Sequence, residues 1–361
     1  MLNSPSSGGT IVTPHVRDFS VLGRQLTDWL ADRLAGAADL RLENFDYPRG
    51  AGQSHETILF EAHWREADES RSMALAVRIK PTRFTVFLDD MFEEQCQLMQ
   101  TLKADGRVPV AGVFWFEPDP SILGAPFFVM ERLHGRVAVS HPSYMESGWV
   151  AEATAEQRAR LWGQAVRMLG ALQAVPQESL GFLVPVGGMS GFEYEWDRWD
   201  RFLRHIEKPD RPVAEHRRIW SLLRDRMPAD PPAGLVWGDA RIGNILVDDS
   251  FDVVALMDWE QPSLGGALQD LGWWLFNQRV KVRENGGRLL PGIPDREETI
   301  EIWAATTGIE PQHVDWYEAF AGLKTASLTV NMMDMRGQVP PGGDYAGTPQ
   351  MRGLQEFLRN G

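Results

Sequence analysis

The sequence predicts an α+β protein with two lobes, one built mainly of strands and a larger one built mainly of helices. Short apolar runs bounded by turn residues recur in residues 39–134 and are typical of strands. From residue 135 onward, apolar residues recur at helical spacing over longer segments. The third observation is a hairpin-like stretch inside the helical part, residues 234–260, where polar residues follow each apolar run.

Composition limits the classes of function. Hydrophobic residues make up 43% of the 361 residues, enough for a sizeable core. The net charge of −14 argues against a nucleic-acid partner. It fits a cationic small molecule, although solubility alone would explain it equally well. Cys96 is the only cysteine, so no intrachain disulfide can form and a cytoplasmic location is expected.

The N-terminal region predicts neither export nor a membrane anchor. Residues 1–38 combine a Ser/Gly/Pro-rich tail, expected to be mobile, with a helix over residues 18–36 that packs on the outside of the first lobe. The start of the chain lacks the basic and apolar segments of a signal peptide, and no apolar run approaches the length of a membrane span. We therefore expect no membrane partner, while the oligomeric state stays open.

Five strands and one helix are predicted for the first lobe. The strands cover residues 40–45, 57–64, 73–79, 108–116 and 125–130. An amphipathic helix at residues 89–102 is placed behind the third strand. This lobe spans residues 39–134, and residues 135–361 form the helical lobe.

The residues with the clearest chemistry lie in the hairpin-like stretch. Its apolar runs, each interpreted as a strand, cover residues 235–237, 245–247 and 253–257. Asp239 follows the Gly238 break, Asn244 comes five residues later, and Asp258 ends the last run. A loop Asp, an Asn several residues on and a later Asp recur together in kinase active sites.

Each of these residue types suits phosphoryl transfer. Asn244 and Asp258 offer the hard oxygen ligands that Mg²⁺ prefers. Asp239 would accept or orient the proton of an attacking hydroxyl, and Arg241 could contact the transferring phosphate as a permanent cation. The alternative is a simple hairpin in which Asp and Asn are ordinary turn residues. The combination of all three residues with their strands favours phosphotransfer.

Two segments, GLVWGDARIGNILVDD and VVALMDWEQPSLGGALQDLGWW, resemble the aminoglycoside phosphotransferase and choline kinase superfamily. The resemblance is greatest to actinobacterial aminoglycoside phosphotransferase-like proteins that carry W-G-D-A-R-x-G-N. The family pattern of H-G-D-x4-N, D-W-E and D-L is matched at Gly238, Asp239, Asn244, Asp258, Trp259, Glu260, Asp270 and Leu271. Trp237 departs from it, because most relatives have His there, which puts the usual bracing of the loop in doubt.

The resemblance implies a bilobal, protein-kinase-like fold in which residues 39–134 are the nucleotide-binding lobe. It also implies a catalytic loop at residues 237–244 that is braced by Asp270. It also implies a phosphate-binding loop after the first strand, where Gly52, Gln53 and Ser54 would approach the nucleotide. The spacing is not the usual one, and an ordinary hairpin loop explains these residues equally well.

Two further nucleotide contacts follow from the resemblance. Arg78 is favoured over Lys80 as the strand cation that grips the phosphates, although strand alternation puts both on one face and two solvated cations remain an alternative. Whether Glu93, Glu94 or Gln95 pairs with that cation stays open. The backbone at Glu131, Arg132 and Leu133 is the expected adenine-binding hinge, with a buried edge strand as the alternative.

The helical lobe contributes one more candidate, residues 191–226, where relatives place an acceptor lid. Acidic residues alternate there with aromatic ones, which could bind an amine. The spacing of Phe192, Trp196, Trp199 and Leu203 is instead typical of a helix packed on a core, and we favour packing.

The activity implied by the resemblance is Mg²⁺-dependent transfer of the γ-phosphate of ATP, or of GTP, to a hydroxyl of a small molecule. The acceptor could be an aminoglycoside, another antibiotic, a sugar or an amino alcohol. The alternative is a catalytically weak, nucleotide-binding pseudokinase with a regulatory or interaction role. Trp237 and the irregular phosphate loop favour that alternative, whereas the presence of Asp239, Asn244 and Asp258 together argues against it.

Overall fold

The structure is a computed structural model that describes residues 17–48, 56–67, 69–82, 86–209, 213–340 and 343–360. The described chain divides into two compact units. The first contains the described residues before Val86 together with Phe114–Arg132, and the second contains Val86–Val113 and the chain from Leu133 onward.

The segment Val86–Val113 belongs to the helical unit because both of its ends bond to that unit. The carbonyl of Val86 accepts a hydrogen bond from the Asn331 amide at 2.8 Å. Near the other end, the backbone N–H of Leu256 donates to the carbonyl of Pro109 at 2.8 Å. The domain prediction had grouped these residues with the strands, because contacts between distant residues cannot be read from local spacing.

The first unit contains a five-stranded antiparallel sheet, as predicted, together with the N-terminal helix. The helix predicted at residues 89–102 for this lobe instead spans Phe92–Asp105 and belongs to the second unit, and the fourth strand begins at Val113 and not at residue 108. The elements of the first unit are α1 (Phe19–Ala31), β1 (Ala38–Asp46), β2 (Glu56–Glu66), β3 (Glu69–Ile79), β4 (Val113–Glu117) and β5 (Phe127–Glu131). The strand order is β1-β2-β3-β5-β4, so β3 is central. In the register, Arg78 of β3 lies opposite Thr57 of β2 and Phe128 of β5.

Helix α1 covers one face of this sheet. Its buried stripe, Leu22, Leu26, Trp29 and Leu30, shares a hydrophobic core with residues of β2, β3 and β5. Asp18 caps the helix, since its carboxylate accepts hydrogen bonds from the backbone N–H groups of Ser20 and Val21. The predicted packing of this helix on the strands is therefore observed.

The second unit is mostly helical. Its helices are α2 (Phe92–Asp105), α3 (Trp149–Glu152), α4 (Ala155–Leu172), α5 (Gly191–Ile206), α6 (Ala214–Asp225), α7 (Gln269–Glu284), α8 (Arg296–Thr307), α9 (Val314–Met335) and α10 (Pro349–Asn360). A small antiparallel hairpin, β6 (Ile245–Val247) and β7 (Val253–Leu256), lies between α6 and α7. In the described part of the chain, no helix has the length and apolar character needed to cross a bilayer.

The aromatic stripe of α5 packs on neighbouring helices, as its spacing predicts. Trp196 stacks on Trp220 of α6 with ring centroids 3.7 Å apart. Its ring also lies 5.5 Å from that of Phe320 in α9. These rings therefore belong to the core of the helical unit.

One predicted strand is absent. Residues 235–237 form only an isolated bridge, in which Val236 pairs with Ser263. The prediction was wrong here because the next two backbone N–H groups, those of Trp237 and Gly238, donate to a side chain, Asp270, instead of to a neighbouring strand. The segment thus leaves the extended pairing just before the candidate catalytic loop.

Candidate active site

A buried carboxylate holds the start of the candidate catalytic loop. Asp270, the second residue of α7, accepts hydrogen bonds from the backbone N–H of Trp237 at 2.6 Å and of Gly238 at 3.0 Å. Only 2% of Asp270 is exposed, and this burial raises the pKa of its carboxyl to about 6, against the opposing effect of the two N–H donors. Asp270 is thus placed to brace the loop, as the resemblance implies.

Trp237, the departure from the family pattern, supplies a brace of its own. Its fully buried indole donates a hydrogen bond from Nε1 to the carbonyl oxygen of Met257 at 2.9 Å. The ring also packs on Trp259, with ring centroids 5.3 Å apart. The single donor of the indole therefore ties the loop to the residue that precedes Asp258.

Gly238 makes the sharp turn into the loop. Its φ of +98° lies in the region that glycine adopts most readily. A Cβ at this position would lie 2.4 Å from the carbonyl oxygen of Gln261. Both the backbone angle and the close approach therefore require glycine before Asp239.

The carboxylate of Asp239 receives three side-chain hydrogen bonds. Its Oδ1 accepts from the indole N–H of Trp273 at 3.0 Å. Its Oδ2 accepts from Nε of Arg241 at 2.9 Å and from Nδ2 of Asn244 at 2.7 Å. With donors on both oxygens, the orientation of this carboxylate is fixed by residues of the loop and of α7.

Arg241 lies beside this carboxylate and is half-buried. The negative charge of Asp239 is the main cause that raises its pKa, and Asp258 and Tyr144 add to the effect. One guanidinium nitrogen, Nη1, also lies 3.4 Å from the hydroxyl oxygen of Ser140. The loop therefore keeps a permanent cation next to its central carboxylate.

Asn244 and Asp258 provide oxygen atoms of the kind that magnesium prefers. Because Nδ2 of Asn244 donates to the carboxylate and the carbonyl of Asp239, its amide oxygen is left to act as a ligand. Asp258 has a φ of +64°, an uncommon backbone conformation that clusters at functional sites. The carbonyl of Asn244 accepts from the N–H of Met257 at 2.9 Å, which joins the two segments.

No cluster of three or more His, Cys, Asp or Glu side chains suited to a metal occurs among the described residues. The candidate magnesium ligands are one carboxylate and one amide, so the remaining ligands would come from phosphate oxygens and water. This donor set fits a magnesium ion that arrives with a nucleotide.

Some of the predicted nucleotide contacts fall outside the described residues, and others lie on strand β3 or directly after it. Gly52, Gln53 and Ser54 fall outside the described residues. Arg78 is half-buried on the central strand β3, and Lys80 follows that strand, where its N–H donates to the carbonyl of Pro126 at 2.9 Å.

The predicted hinge follows β5. The backbone N–H of Arg132 donates to the carbonyl of Ala74 at 3.0 Å, so this donor already belongs to the sheet. Glu131 ends β5, and Leu133 begins the chain of the second unit. In that unit a Cβ on Gly135 would lie 2.8 Å from the carbonyl oxygen of Val247, which explains the glycine at this crossing.

The candidates for the pairing position on α2 differ in burial. Gln95 is fully buried, whereas Glu93 is exposed and Glu94 half-buried. Neither the amide nitrogen nor the amide oxygen of Gln95 has a hydrogen-bond partner in the part of the chain that is described.

Trp273 is a residue of the candidate site that was not predicted from the sequence. Its position three residues after Asp270 places both side chains on one face of α7, so helical spacing could have indicated that the two act on the same loop. Their targets are adjacent: Asp270 holds Trp237 and Gly238, and Trp273 holds Asp239.

Comparison with solved structures shows the fold. A protein of Ralstonia eutropha assigned as an aminoglycoside phosphotransferase is 20% identical, with a TM-score of 0.66 over 93% of this chain and 98% of that one. APH(4)-Ia in complex with AMP-PNP and hygromycin B is 12% identical, with a TM-score of 0.57 over 93% and 98%. Choline kinase LicA of Streptococcus pneumoniae is 10% identical, with a TM-score of 0.56 over 94% and 99%. The predicted kinase-like α+β fold is confirmed.

Curated relatives carry a different name. A protein of Arabidopsis thaliana named "Probable acyl-CoA dehydrogenase IBR3" is 26% identical over 90% of this chain and 40% of its own length. Acyl-CoA dehydrogenase family member 11 of Rattus norvegicus is 24% identical over 77% of this chain and 37% of its own length. The chain therefore spans about 40% of the length of these relatives.

The family itself is shown by a match to the sequence model of the phosphotransferase enzyme family. That match covers residues 48–306, well over half of the chain, and includes the whole loop from Trp237 to Asp258. The predicted superfamily is confirmed, and this chain belongs to the phosphotransferase enzyme family.

Proposed function

We propose that this protein is a magnesium-dependent small-molecule kinase that moves the γ-phosphate of ATP to an acceptor hydroxyl. GTP is the second nucleotide to test as the donor. The observation that carries the proposal is the triply hydrogen-bonded carboxylate of Asp239, held on a loop that also presents Arg241 and Asn244. A cytoplasmic location and a small-molecule partner, without nucleic acid or membrane, belong to the same proposal.

Asp239 would meet the acceptor hydroxyl. The acceptor oxygen bonds to the γ-phosphorus as the bond from that phosphorus to the leaving ADP oxygen breaks, and the hydroxyl proton passes to Asp239. The donors of Trp273 and Asn244 hold the carboxylate in one orientation, so that one oxygen edge can face the hydroxyl.

Arg241 would bind the phosphate in transfer. Its guanidinium already lies 2.9 Å from Asp239, and a planar guanidinium suits the oxygens of a phosphate. Magnesium, when bound, would neutralise phosphate charge, and Asn244 through its amide oxygen and Asp258 through its carboxylate would hold it.

The nucleotide contacts of the first unit complete the proposal. Arg78 would grip the phosphates, the loop containing Gly52, Gln53 and Ser54 would cover them, and the backbone from Glu131 to Leu133 would bind adenine. The solved complex of APH(4)-Ia with AMP-PNP supports ATP as the donor.

The pseudokinase alternative loses part of its support. Trp237 was one of its two arguments, beside the irregular phosphate loop, and the indole of Trp237 makes a 2.9 Å hydrogen bond that ties the candidate catalytic loop to Met257. A domain that only bound nucleotide would also have no use for a carboxylate with three oriented donors.

Two acceptor classes deserve the first screen. Hygromycin B and choline represent the cationic class, because solved relatives are named for or bound to them. A hydroxyacyl thioester of coenzyme A represents an anionic class, because curated relatives are named acyl-CoA dehydrogenases. Acceptor-dependent release of ADP, with the phosphorylated product identified by mass spectrometry, would assign the class.

Asp239→Asn tests the proposal. Phosphotransfer should fall by roughly 100- to 10,000-fold, as expected when a general base is lost. Binding of Mg·ATP should remain near the wild-type affinity. Asp249→Asn is the matched control, because it removes the same charge from an exposed turn and should change neither quantity. Wild-type turnover in Asp239→Asn would overturn the assignment of this residue.

A further inference from the structure

A lysine is buried among the helices of the second unit. Lys324 of α9 is only 3% exposed. Its ammonium donates to Oε1 of Glu195 in α5 at 3.3 Å and to Oε1 of Gln269 in α7 at 3.1 Å. A buried ammonium needs such partners, because removing it from water is costly. Lys324 therefore joins three helices that are far apart in the sequence.

Aromatic rings complete the surroundings of this ammonium. Its nitrogen lies 5.3 Å from the ring centroid of Trp273, 4.8 Å from that of Phe320 and 5.5 Å from that of Trp199. All three distances fall within the range of cation–π attraction, which strengthens when water is excluded. The ammonium thus contacts the same indole whose N–H donates to Asp239.

Lys324 contacts residues in the first turns of α7. The same turns carry the two side chains that bond to the candidate catalytic loop. Gln269 is adjacent to Asp270, the residue that binds the N–H groups of Trp237 and Gly238. The positive charge of Lys324 also acts on Asp270, favouring the carboxylate that accepts those bonds. Lys324 therefore contacts the ring of Trp273 directly and is connected to Asp270 through the adjacent Gln269.

Glu195 offers a second connection to the same loop. Its Oε2 accepts a hydrogen bond from the hydroxyl of Ser263 at 2.9 Å. Ser263 in turn forms the isolated bridge with Val236, whose N–H donates to its carbonyl at 2.8 Å. The pair of Lys324 and Glu195 is therefore linked through Ser263 to Val236, the residue that precedes Trp237.

We propose that Lys324 is a positioning residue for phosphotransfer, which fixes the start of α7 so that Asp270 and Trp273 hold the loop of Asp239. The proposal rests on the proposed kinase function for its catalytic consequence. Its structural consequence, the rigidity of the loop, can be measured without any substrate.

Hydrogen–deuterium exchange of the full chain measures this rigidity directly. Lys324→Met keeps the length and removes the charge. It should speed exchange at the N–H groups of Trp237 and Gly238 by about tenfold or more, because local opening frees these amides. The N–H of Leu256, bonded to Pro109, serves as the internal reference for any general loss of stability.

Glu318→Gln is the matched control. Glu318 lies on the same helix, is fully buried, and bonds to Arg279 at 2.6 Å and Arg296 at 2.9 Å. Its removal disturbs a buried ion network but none of the contacts that lead to the loop. If Lys324→Met and Glu318→Gln changed loop exchange equally relative to Leu256, the proposal would be overturned.

The double variant Glu195→Gln/Lys324→Met separates positioning from simple charge balance, and it replaces the single variant if that one does not fold. Removing both charges avoids leaving one of them buried and unpaired. If the amides of Trp237 and Gly238 still exchange faster in the double variant than in wild type, the result supports positioning by Lys324. Exchange that returns to the wild-type rate means that Lys324 only balances Glu195, which contradicts the proposal.

The catalytic consequence has its own readout. In Lys324→Met, kcat should fall by up to about 100-fold, because a small misplacement of a catalytic group is enough for such a loss. The KM for nucleotide should stay near its wild-type value. Fast loop exchange in Lys324→Met, together with a wild-type protein that transfers no phosphate, would refute the kinase function alone. Normal loop exchange with reduced kcat would refute the positioning role alone.

Discussion

The carboxylate of Asp239 depends on donors from two separate parts of the chain. Arg241 and Asn244 come from its own loop, whereas Trp273 comes from α7, more than thirty residues away. Loop donors move with the loop, but Trp273 is set in a packed helix. We therefore regard the indole of Trp273 as the contact that fixes Asp239 relative to the rest of the helical unit.

Trp273→Phe should reduce kcat by about tenfold or more. The change removes the N–H donor to Asp239 but keeps an aromatic ring, and a hydrogen bond to a charged group contributes about 1.5–3 kcal/mol. Trp274→Phe is the matched control, since that neighbouring indole is equally buried and its Nε1 has no partner within the described residues. Steady-state kinetics of both variants would test the expectation, and equal losses would contradict it.

The raised pKa of Asp270 predicts an acid limit to activity. Protonation below about pH 6 puts a hydrogen on one of the two oxygens that accept from Trp237 and Gly238. The loop should loosen and kcat should fall, although Lys324 and Glu195 also face this carboxyl and shift its titration in opposite directions.

The contribution of Asp270 to stability should change with pH in the opposite direction to its effect on kcat. Because the folded pKa of about 6 exceeds the ordinary value of 3.8 for an aspartate, the folded state binds the proton more tightly than the unfolded state. The contribution of Asp270 to the free energy of unfolding is therefore greatest at low pH and is lost as the pH rises through about 6. Guanidinium unfolding of wild type and Asp270→Asn across pH 4 to 8 isolates this contribution as the difference between the two curves. A difference that grew with rising pH in favour of wild type would contradict the assignment.

Candidate residues for the chemistry of the site are easier to predict from sequence than the residues that support them. Asp239, Asn244 and Asp258 stand out because their types and spacing match those that recur in kinase active sites. The roles of Trp237, Trp273 and Lys324 depend on which distant atoms each side chain reaches, such as the carbonyl of Met257 for Trp237. Such contacts leave no regular spacing in the sequence.

At the scale of elements, the turn at Gly238 sets the direction of the whole loop. Gly238→Ala should cost more than the roughly 1–2 kcal/mol of a left-handed alanine, because its Cβ would also meet the Gln261 carbonyl at 2.4 Å. Gly308→Ala is the control: Gly308 has a φ of +70°, and a Cβ there has nothing within 4 Å. Denaturant unfolding of both variants measures the difference, and equal costs would show that the close approach is relieved by a small shift.

Regular elements were the easiest features to predict. The strands of the first unit and the stripe of α5 follow from period-two and helical spacing, which local sequence carries. The prediction of a strand at residues 235–237 was wrong. The apolar residues of this segment are buried, but they do not form a paired strand. The next N–H groups of the segment bond to Asp270, a partner that local spacing does not reveal.

At the scale of the whole molecule, the division into two units does not follow the order of the chain. The segment Val86–Val113 interrupts the sheet unit and belongs to the helical unit, to which it is tied through Val86 and Pro109. A change in composition, such as that near residue 134, indicates a boundary in the sequence. No comparable signal marks a segment that joins the other unit through contacts with distant residues.

The proposed kinase function predicts that this chain binds nucleotide in a manner that depends on magnesium. Asp258→Asn is the most suitable variant to test it, because asparagine tolerates the φ of +64° that alanine would strain. The variant removes the only proposed carboxylate ligand, while Asp249→Asn removes an equal charge from an exposed turn.

The most direct measurement is calorimetric titration of ATP, and separately GTP, into wild type and both variants, with magnesium and with a chelator. We expect binding to wild type and Asp249→Asn that requires magnesium, and affinity at least about tenfold weaker in Asp258→Asn, as for the loss of a charged ligand. Binding that is the same with the chelator, or unchanged in Asp258→Asn, would contradict the proposed magnesium site. Absence of binding of both nucleotides to folded wild type would contradict the kinase function.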